Sequence, residues 1–149
     1  MAGIQARVRA VTKRPKLNEA IAKGVIDDIQ KAVEDHANKA VRTLQRYPPK
    51  PPESRYIRTN TLKNLWESPA NTPSLSRITA DGIVVSIQND AIDPRGKHYA
   101  ELVHGDEEGT GQLSLHAGHG WKTMASVLRE GYQQKIRQAV KQALKATTE

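Results

Sequence analysis

The sequence predicts a single α+β domain in which two long helices pack on a small antiparallel β-hairpin sheet, with a long irregular loop before the second helix. Three observations lead to this fold class. Apolar residues recur at spacings of three and four near both ends of the chain, and an alternating apolar pattern lies between them. A chain of 149 residues normally closes around one core. We take residues 15–149 as that domain and residues 1–14 as a basic arm.

The first long helix is predicted over residues 17–44. Pro48 and Pro49 follow, and because proline cannot continue a helix, the helix must end by Tyr47. The next residues, 47–53, are rich in proline and predict a stiff, extended strap. Their PxxP spacing leaves open the alternative that this segment is a ligand for a domain with an aromatic groove. The apolar stripe of the helix consists of Leu17, Ile21, Val25, Ile29, Val33, Ala37, Ala40 and Leu44.

A short helix and a hairpin are predicted in the middle of the chain. Thr59 or Asn60 can cap the short helix, which would end at Pro69 and place Trp66 in the core. Two strands, 75–79 and 83–88, are separated by a turn that contains Asp81 and Gly82, a pair typical of hairpins. We expect one face of the hairpin to meet both long helices. The residues expected to be buried together are Ile29, Val33, Val85, Ile87, Leu128 and Ile136.

The segment after the hairpin is less regular. Residues 99–103 fit either a helical turn or a strand, and residues 104–120 form a polar loop with five glycines. Because ordering that many glycines has a high entropic cost, we expect this loop to be flexible and to order only against a neighbouring protein. The second long helix is predicted to begin at Trp121. Its stripe consists of Met124, Leu128, Tyr132, Ile136, Val140 and Leu144.

The histidine-rich loop is the one place where the sequence could support chemistry. Its nitrogen and oxygen ligands could hold zinc, but no thiolate is present and the closest histidine pair lies beside glycines rather than on a helix. No nucleophile elbow or phosphate-binding glycine motif occurs. We therefore expect no catalysis, no cofactor and no metal. We assign the loop as a subunit interface whose candidate residues are Asp106, Glu107, Glu108, Leu113, Leu115, His116 and His119; the weighed zinc ligands also include His104.

The charge balance points to an anionic partner without identifying it. Lys and Arg number 23 against 16 Asp and Glu, which gives a formal charge of +7. Part of the excess lies in the arm, which is either a solvated terminus or a contact with DNA or a partner protein. The hairpin lacks aromatic residues for stacking on single-stranded bases, and no apolar run suits a membrane span or a secretory signal. The basic candidates are Arg7, Arg9, Lys13, Arg14 and Lys16.

Two short elements and their order resemble the tail-completion family of long-tailed bacteriophages, also described as head-tail joining or minor tail proteins. Residues 58–68, Arg-Thr-Asn-Thr-Leu-Lys-Asn-Leu-Trp-Glu-Ser, resemble the family's Arg-Thr-Gly-x-Leu-Arg-x-Ser element. Residues 99–105, Tyr-Ala-Glu-Leu-Val-His-Gly, resemble its Tyr-Ala-x-x-Val-Glu-x-Gly-Thr element. The chain departs from the family by an insertion at residues 106–108, and by His-Gly-Trp-Lys at residues 119–122 in place of an aromatic-proline pair.

The resemblance implies a structural virion protein at the neck or tail end that joins the tail to the head. It implies a homo-oligomeric ring, with a hexamer as one candidate, that contacts neighbouring neck and tail proteins and surrounds the passage of genomic DNA. Such a subunit would assemble in the cytoplasm of the host bacterium and would then reside in the virion. A basic DNA-binding accessory protein is the alternative, and the charge of the chain is the observation that supports it.

Overall fold

A computed structural model describes residues 4–10, 19–50, 52, 60–80, 82–92, 96 and 98–146, the first of these and residues 19–22 by their backbone alone. It confirms the α+β class. The helices are α1 (Glu19–Leu44), α2 (Thr61–Asn64), α3 (Ala100–His104), α4 (Ser114–Gly118), α5 (Met124–Arg129) and α6 (Tyr132–Ala146). The strands are β1 (Ile4–Ala10), β2 (Trp66–Glu67), β3 (Ser76–Thr79) and β4 (Gly82–Asn89).

The sheet is organised around β4. The predicted hairpin is confirmed, because β3 pairs antiparallel with β4 and Thr79 lies opposite Gly82. The two-residue β2 pairs with the C-terminal end of β4, past the residues that pair with β3, and Trp66 lies opposite Asn89. On its other side β4 pairs with β1, so the described sheet has four strands rather than the two of the predicted hairpin.

The prediction of a basic arm outside the domain was wrong for residues 4–10. These residues form β1, which runs antiparallel along β4 from the Ile4–Asn89 pair to the Ala10–Ile83 pair. In the sequence, isoleucine, alanine and valine alternate there with glutamine and arginine, which is the two-residue period of a strand. The clustered arginines masked that signal. Residues 1–3 and 11–14 of the predicted arm, and Lys16, lie outside the described residues.

The core lies between α1 and the sheet. The apolar stripe of α1 is buried from Val25 to Leu44, and the alternate β4 residues Ile83, Val85 and Ile87 are buried with it. The expected core set is confirmed except for Ile136, which is half-buried and packs against the cluster. Val84 and Ser86, which alternate with the inward residues of β4, are also buried, so the outer face of this central strand is shielded as well.

The second long helix is interrupted and begins three residues later than predicted. Thr123 precedes it, and the Thr123 hydroxyl accepts a hydrogen bond of 3.2 Å from Ser126 N, which fixes the start at Met124. The helix stops after Arg129 because Glu130 is extended and Gly131 has a φ of 69°, a left-handed value that favours glycine. It resumes as α6 at Tyr132. The predicted stripe is therefore divided between two helices.

The short helix also ends earlier than predicted. It stops at Asn64, and Trp66 belongs to β2, because pairing with Asn89 satisfies its backbone in a strand. The prediction that Trp66 lies in the core is confirmed, with 1% of its surface exposed. Asn89 is fully buried and joins the two elements: its side chain donates to Leu62 O at 2.7 Å and accepts from Ala91 N at 2.9 Å.

The proline-rich strap is anchored where the structure describes it. Residues 47–50 form no helix or strand. The Tyr47 ring packs against Trp121 with 4.7 Å between centroids, and its hydroxyl accepts a hydrogen bond of 2.8 Å from Lys63 N. The strap therefore connects the end of α1 both to α2 and to the segment that precedes α5.

Candidate assembly surface

The segment from α3 to α4 contains the predicted interface residues. Residues 105–113 form neither helix nor strand, as predicted, but residues 114–118 form α4, which the glycine-rich composition had hidden. Leu113 N donates to Leu102 O at 2.9 Å. Gln112 connects the segment to both sides, because its Nε2 donates to Val103 O at 2.8 Å and to Trp121 O at 2.7 Å. The loop thus has a defined path between α3 and α5.

Asp106 builds the turn that follows α3. Its carboxylate accepts from the Thr110 hydroxyl at 2.6 Å and from the backbone nitrogens of Thr110 and Glu108, both at 2.9 Å. These bonds, the hydroxyl bond foremost, lower the pKa of Asp106 below its usual value. Gly105 has a φ of 71°, and a Cβ there would lie 3.1 Å from Thr110 O. Asp106 was predicted to contact a partner; its carboxylate is instead occupied by its own loop.

We expect Asp106→Ala to loosen this turn without unfolding the domain. The substitution removes all three acceptor bonds, so the amides of Glu108 and Thr110 should exchange with solvent at least about tenfold faster. Hydrogen exchange followed by NMR measures this directly. Glu108→Ala is the matched control, because it removes an exposed carboxylate and keeps the backbone nitrogen that Asp106 binds. Equal acceleration in both variants would contradict the role assigned to Asp106.

Three exposed leucines lie together on this segment, and we call Leu102, Leu113 and Leu115 the leucine patch. Their exposed fractions are 38%, 46% and 61%. A backbone hydrogen bond joins Leu113 to Leu102, and Leu115 follows on α4, which contacts α3. The exposed carboxylates Glu107 and Glu108 lie in the intervening turn. An apolar patch surrounded by polar groups is typical of a protein interface.

The sequence identified Leu113 and Leu115 but missed Leu102 and Gln112. Leu102 was ambiguous because its segment fits either a helix or a strand, and only the helical assignment places it opposite buried Ala100 and Val103. For Gln112, no feature of the sequence distinguishes a glutamine that bridges two backbone carbonyls from a solvated one.

His104 belongs to the core and not to the surface. It is 1% exposed, and its Nδ1 donates to Lys122 O at 2.8 Å, whereas its Nε2 has no hydrogen-bond partner among the described residues. Burial lowers the pKa of His104 to about 4, so the ring is neutral near pH 7. Its centroid lies 5.5 Å from that of Trp66 and 5.8 Å from that of Trp121. The three rings therefore form an aromatic cluster around His104.

The other two histidines of the loop differ in their burial. His116 is half-buried against Trp121, with 6.1 Å between ring centroids, and burial lowers its pKa. His119 is exposed. Within the described ranges, no three side chains of histidine, cysteine, aspartate or glutamate come together as a metal site. Of the predicted interface residues, the exposed ones are Glu107, Glu108, Leu113, Leu115 and His119.

The basic residues of the predicted arm are only partly described. Arg7 and Arg9 lie in β1, opposite Ser86 and Val84 of β4. Lys13, Arg14 and Lys16 lie outside the described residues. No helix in the described part of the chain combines the length and apolar composition that crossing a bilayer requires.

Comparisons with family models, with curated proteins and with solved structures found no match in any of the three.

Proposed function

We propose that this chain is a structural virion protein of a tailed bacteriophage, a ring-forming subunit at the neck or tail end that joins the tail to the head. The leucine patch is the observation that carries the proposal. Its three leucines leave 38%, 46% and 61% of their surfaces exposed in the single chain, and covering that apolar surface in an assembly would be favourable. The assignment to a bacteriophage particle rests on the resemblance of residues 58–68 and 99–105 to the tail-completion family.

The hydrogen bonds of the loop support a preformed interface. Gln112 and Asp106 fix the path between α3 and α4 within one chain, so less conformational entropy is lost when the leucine patch is covered. The sequence alone predicts a loop that orders only on assembly. The internal bonds favour instead a surface that is already shaped before a neighbour arrives.

A ring requires two different surfaces on each copy, because each subunit meets the next head to tail. The leucine patch would be one surface. Ile78 on the hairpin is 51% exposed and lies on another element, so it is our candidate for the facing surface of the next copy. The neighbouring neck and tail proteins would stack above and below such a ring, and the genomic DNA would pass through its middle.

Substituting the leucine patch should prevent ring formation and leave the fold intact. We expect Leu113→Glu combined with Leu115→Glu to raise the concentration needed for assembly at least about a hundredfold, because burying each leucine contributes about 1.5 to 3 kcal/mol and burying a carboxylate opposes association. Light scattering after gel filtration gives the mass of the particle, and negative-stain microscopy shows its symmetry.

Leu144→Glu is the matched control. Leu144 is 39% exposed and lies near the end of α6, an element that carries none of the three leucines of the patch. Rings that form in this control and fail in the double variant would support the proposal, provided that both variants melt within a few degrees of the parent. A parent chain that stays monomeric at high concentration and in phage lysates, or a control that fails equally, would refute it.

A further inference from the structure

A basic cleft lies between the C-terminal half of α1 and the start of α6, on elements other than those that carry the leucine patch. Its volume is about 490 Å³. The α1 residues that line it are spaced by three and four and extend from His36 to Thr43, about two turns or on the order of 10 Å. The α6 residues that face them extend from Gln134 to Gln138, about one turn. Its polar lining consists of His36, Lys39, Thr43, Arg46, Lys122, Glu130, Gln134, Lys135 and Gln138.

Positive charge dominates this cleft. The lining includes four cationic residues, Lys39, Arg46, Lys122 and Lys135. Glu130 is the one carboxylate in the lining. None of the four cations forms a salt bridge with another described residue. The remainder of α6 adds to the positive charge, because besides Lys135 it contains three cations, Arg137, Lys141 and Lys145, and no acid. Asp35 lies one turn before Lys39 on α1, but none of the acids of α1 is among the residues that line the cleft.

His36 shows that the cations of the two helices converge. It is buried beneath the cleft, its Nε2 donates to Leu128 O at 2.6 Å, and its ring packs on Tyr132 at 5.2 Å. Burial is the main reason that its pKa is lowered, and Lys135 and Lys39 lower it further. One ring therefore senses lysines from α6 and from α1. Lys39 and Lys135 therefore both lie close to the same ring at the base of the cleft.

We propose that this cleft binds the phosphate backbone of duplex DNA without sequence preference. Protein interfaces have an apolar centre, whereas the cleft has only Ala40 and Val127 as apolar lining residues. Lysine, arginine, threonine and glutamine side chains are the groups that contact phosphates. Two helical turns span about three phosphates of one strand at an axial spacing of about 3.4 Å. The proposal goes beyond ring formation and does not require it, because each single chain carries a complete cleft.

The cleft differs from the DNA contact that the sequence predicted. The predicted contact was the N-terminal arm, whose basic residues stand close together in the chain. The cations of the cleft are scattered from Lys39 to Lys135 and come together only in the folded chain, so no run in the sequence marks them.

The test compares two variants that each remove two positive charges from the full-length chain. Lys39→Gln with Lys135→Gln changes the cleft from both helices, and Lys23→Gln with Lys31→Gln changes two exposed positions of α1 outside it. A fluorescein-labelled duplex of mixed sequence is titrated by anisotropy between 50 and 200 mM NaCl, about the range over which phosphate contacts show their salt dependence. Sedimentation of the same samples reports ring formation separately.

We expect the cleft variant to lose at least about tenfold in affinity at the lowest salt concentration and about 1.8 in the slope of log affinity against log salt, since each phosphate contact contributes about 0.9. The control should lose less than about twofold. Three outcomes would overturn the proposal: no duplex binding by the parent, equal losses in the two variants, or displacement of the duplex by polyglutamate at equal charge concentration, which would assign the cleft to an acidic protein. Loss of rings with duplex binding intact would refute only the proposed assembly.

Discussion

Trp66→Ala should lower the free energy of unfolding by about 3 to 5 kcal/mol, the range typical of large aromatic truncations in a core. Trp66 is one of the largest fully buried side chains in the described chain, and it lies where β2 meets the end of β4. Its ring also contacts His104 edge-on. Removing it would leave a cavity at the junction of the sheet, α2 and α3. Urea denaturation followed by circular dichroism measures the change.

The Trp66→Phe variant distinguishes the contribution of the buried apolar ring from that of the indole Nε1. Trp66 Nε1 is buried and has no hydrogen-bond partner among the described residues, so phenylalanine removes a donor that gains nothing and keeps most of the apolar surface. We expect this variant to lose less than half of what the alanine variant loses. Similar losses in both variants would mean that the indole nitrogen has a partner, such as a buried water, and would contradict this account.

Acid should destabilise the domain through His104, by about 3 kcal/mol in total. Its pKa is about 4 in the folded chain and about 6.5 when unfolded. The unfolded chain therefore binds a proton first as the pH falls. The contribution of the neutral His104 ring to the free energy of unfolding is complete above about pH 6.5. It is lost as the pH falls from about 6.5 to about 4, and it does not change further below about pH 4. The shift of about 2.5 pKa units gives the total at about 1.36 kcal/mol per unit.

His104→Gln tests the source of this pH dependence, because glutamine retains a hydrogen-bond donor and does not titrate. Unfolding free energies are compared at pH 7 and pH 5 for the parent, this variant and His119→Ala, which changes an exposed histidine. The variant should be less stable at pH 7 but should lose less on acidification than the parent or the control. His36, whose pKa is lowered in the same direction, leaves a residual dependence in all three proteins. An unchanged acid loss in His104→Gln would show that another group is responsible.

The sequence was most informative for elements whose apolar residues repeat at one regular spacing and all pack against one buried surface. The stripe of α1 and the alternation in β4 predicted both elements and most of the core, because each pattern reports contact with a single apolar surface. Breaks were harder to predict. Gly131 interrupts the last helix although the three-and-four spacing continues across it, since periodicity records which residues face the core and not whether the backbone between them is helical.

The candidate site was less predictable than the fold. Leu113 and Leu115 stand out in the sequence as apolar residues in a polar loop, but only the folded chain joins Leu102 to Leu113 through a backbone hydrogen bond. Asp106 was read as a surface charge because a carboxylate that caps its own turn has no distinguishing sequence. The basic cleft was missed for a similar reason, because its four cations belong to three distant segments of the chain.

The position of β1 has a consequence for how the protein is made. Ile4 pairs with Asn89, so β1 leaves the ribosome before its partner strand exists and waits until synthesis has reached Asn89. At about 5 to 20 residues per second, that delay lasts on the order of 4 to 17 seconds. During this time an extended segment with unpaired backbone could associate with other nascent chains. Arginine at positions 7 and 9 opposes such association, because charged residues within a strand discourage pairing between copies.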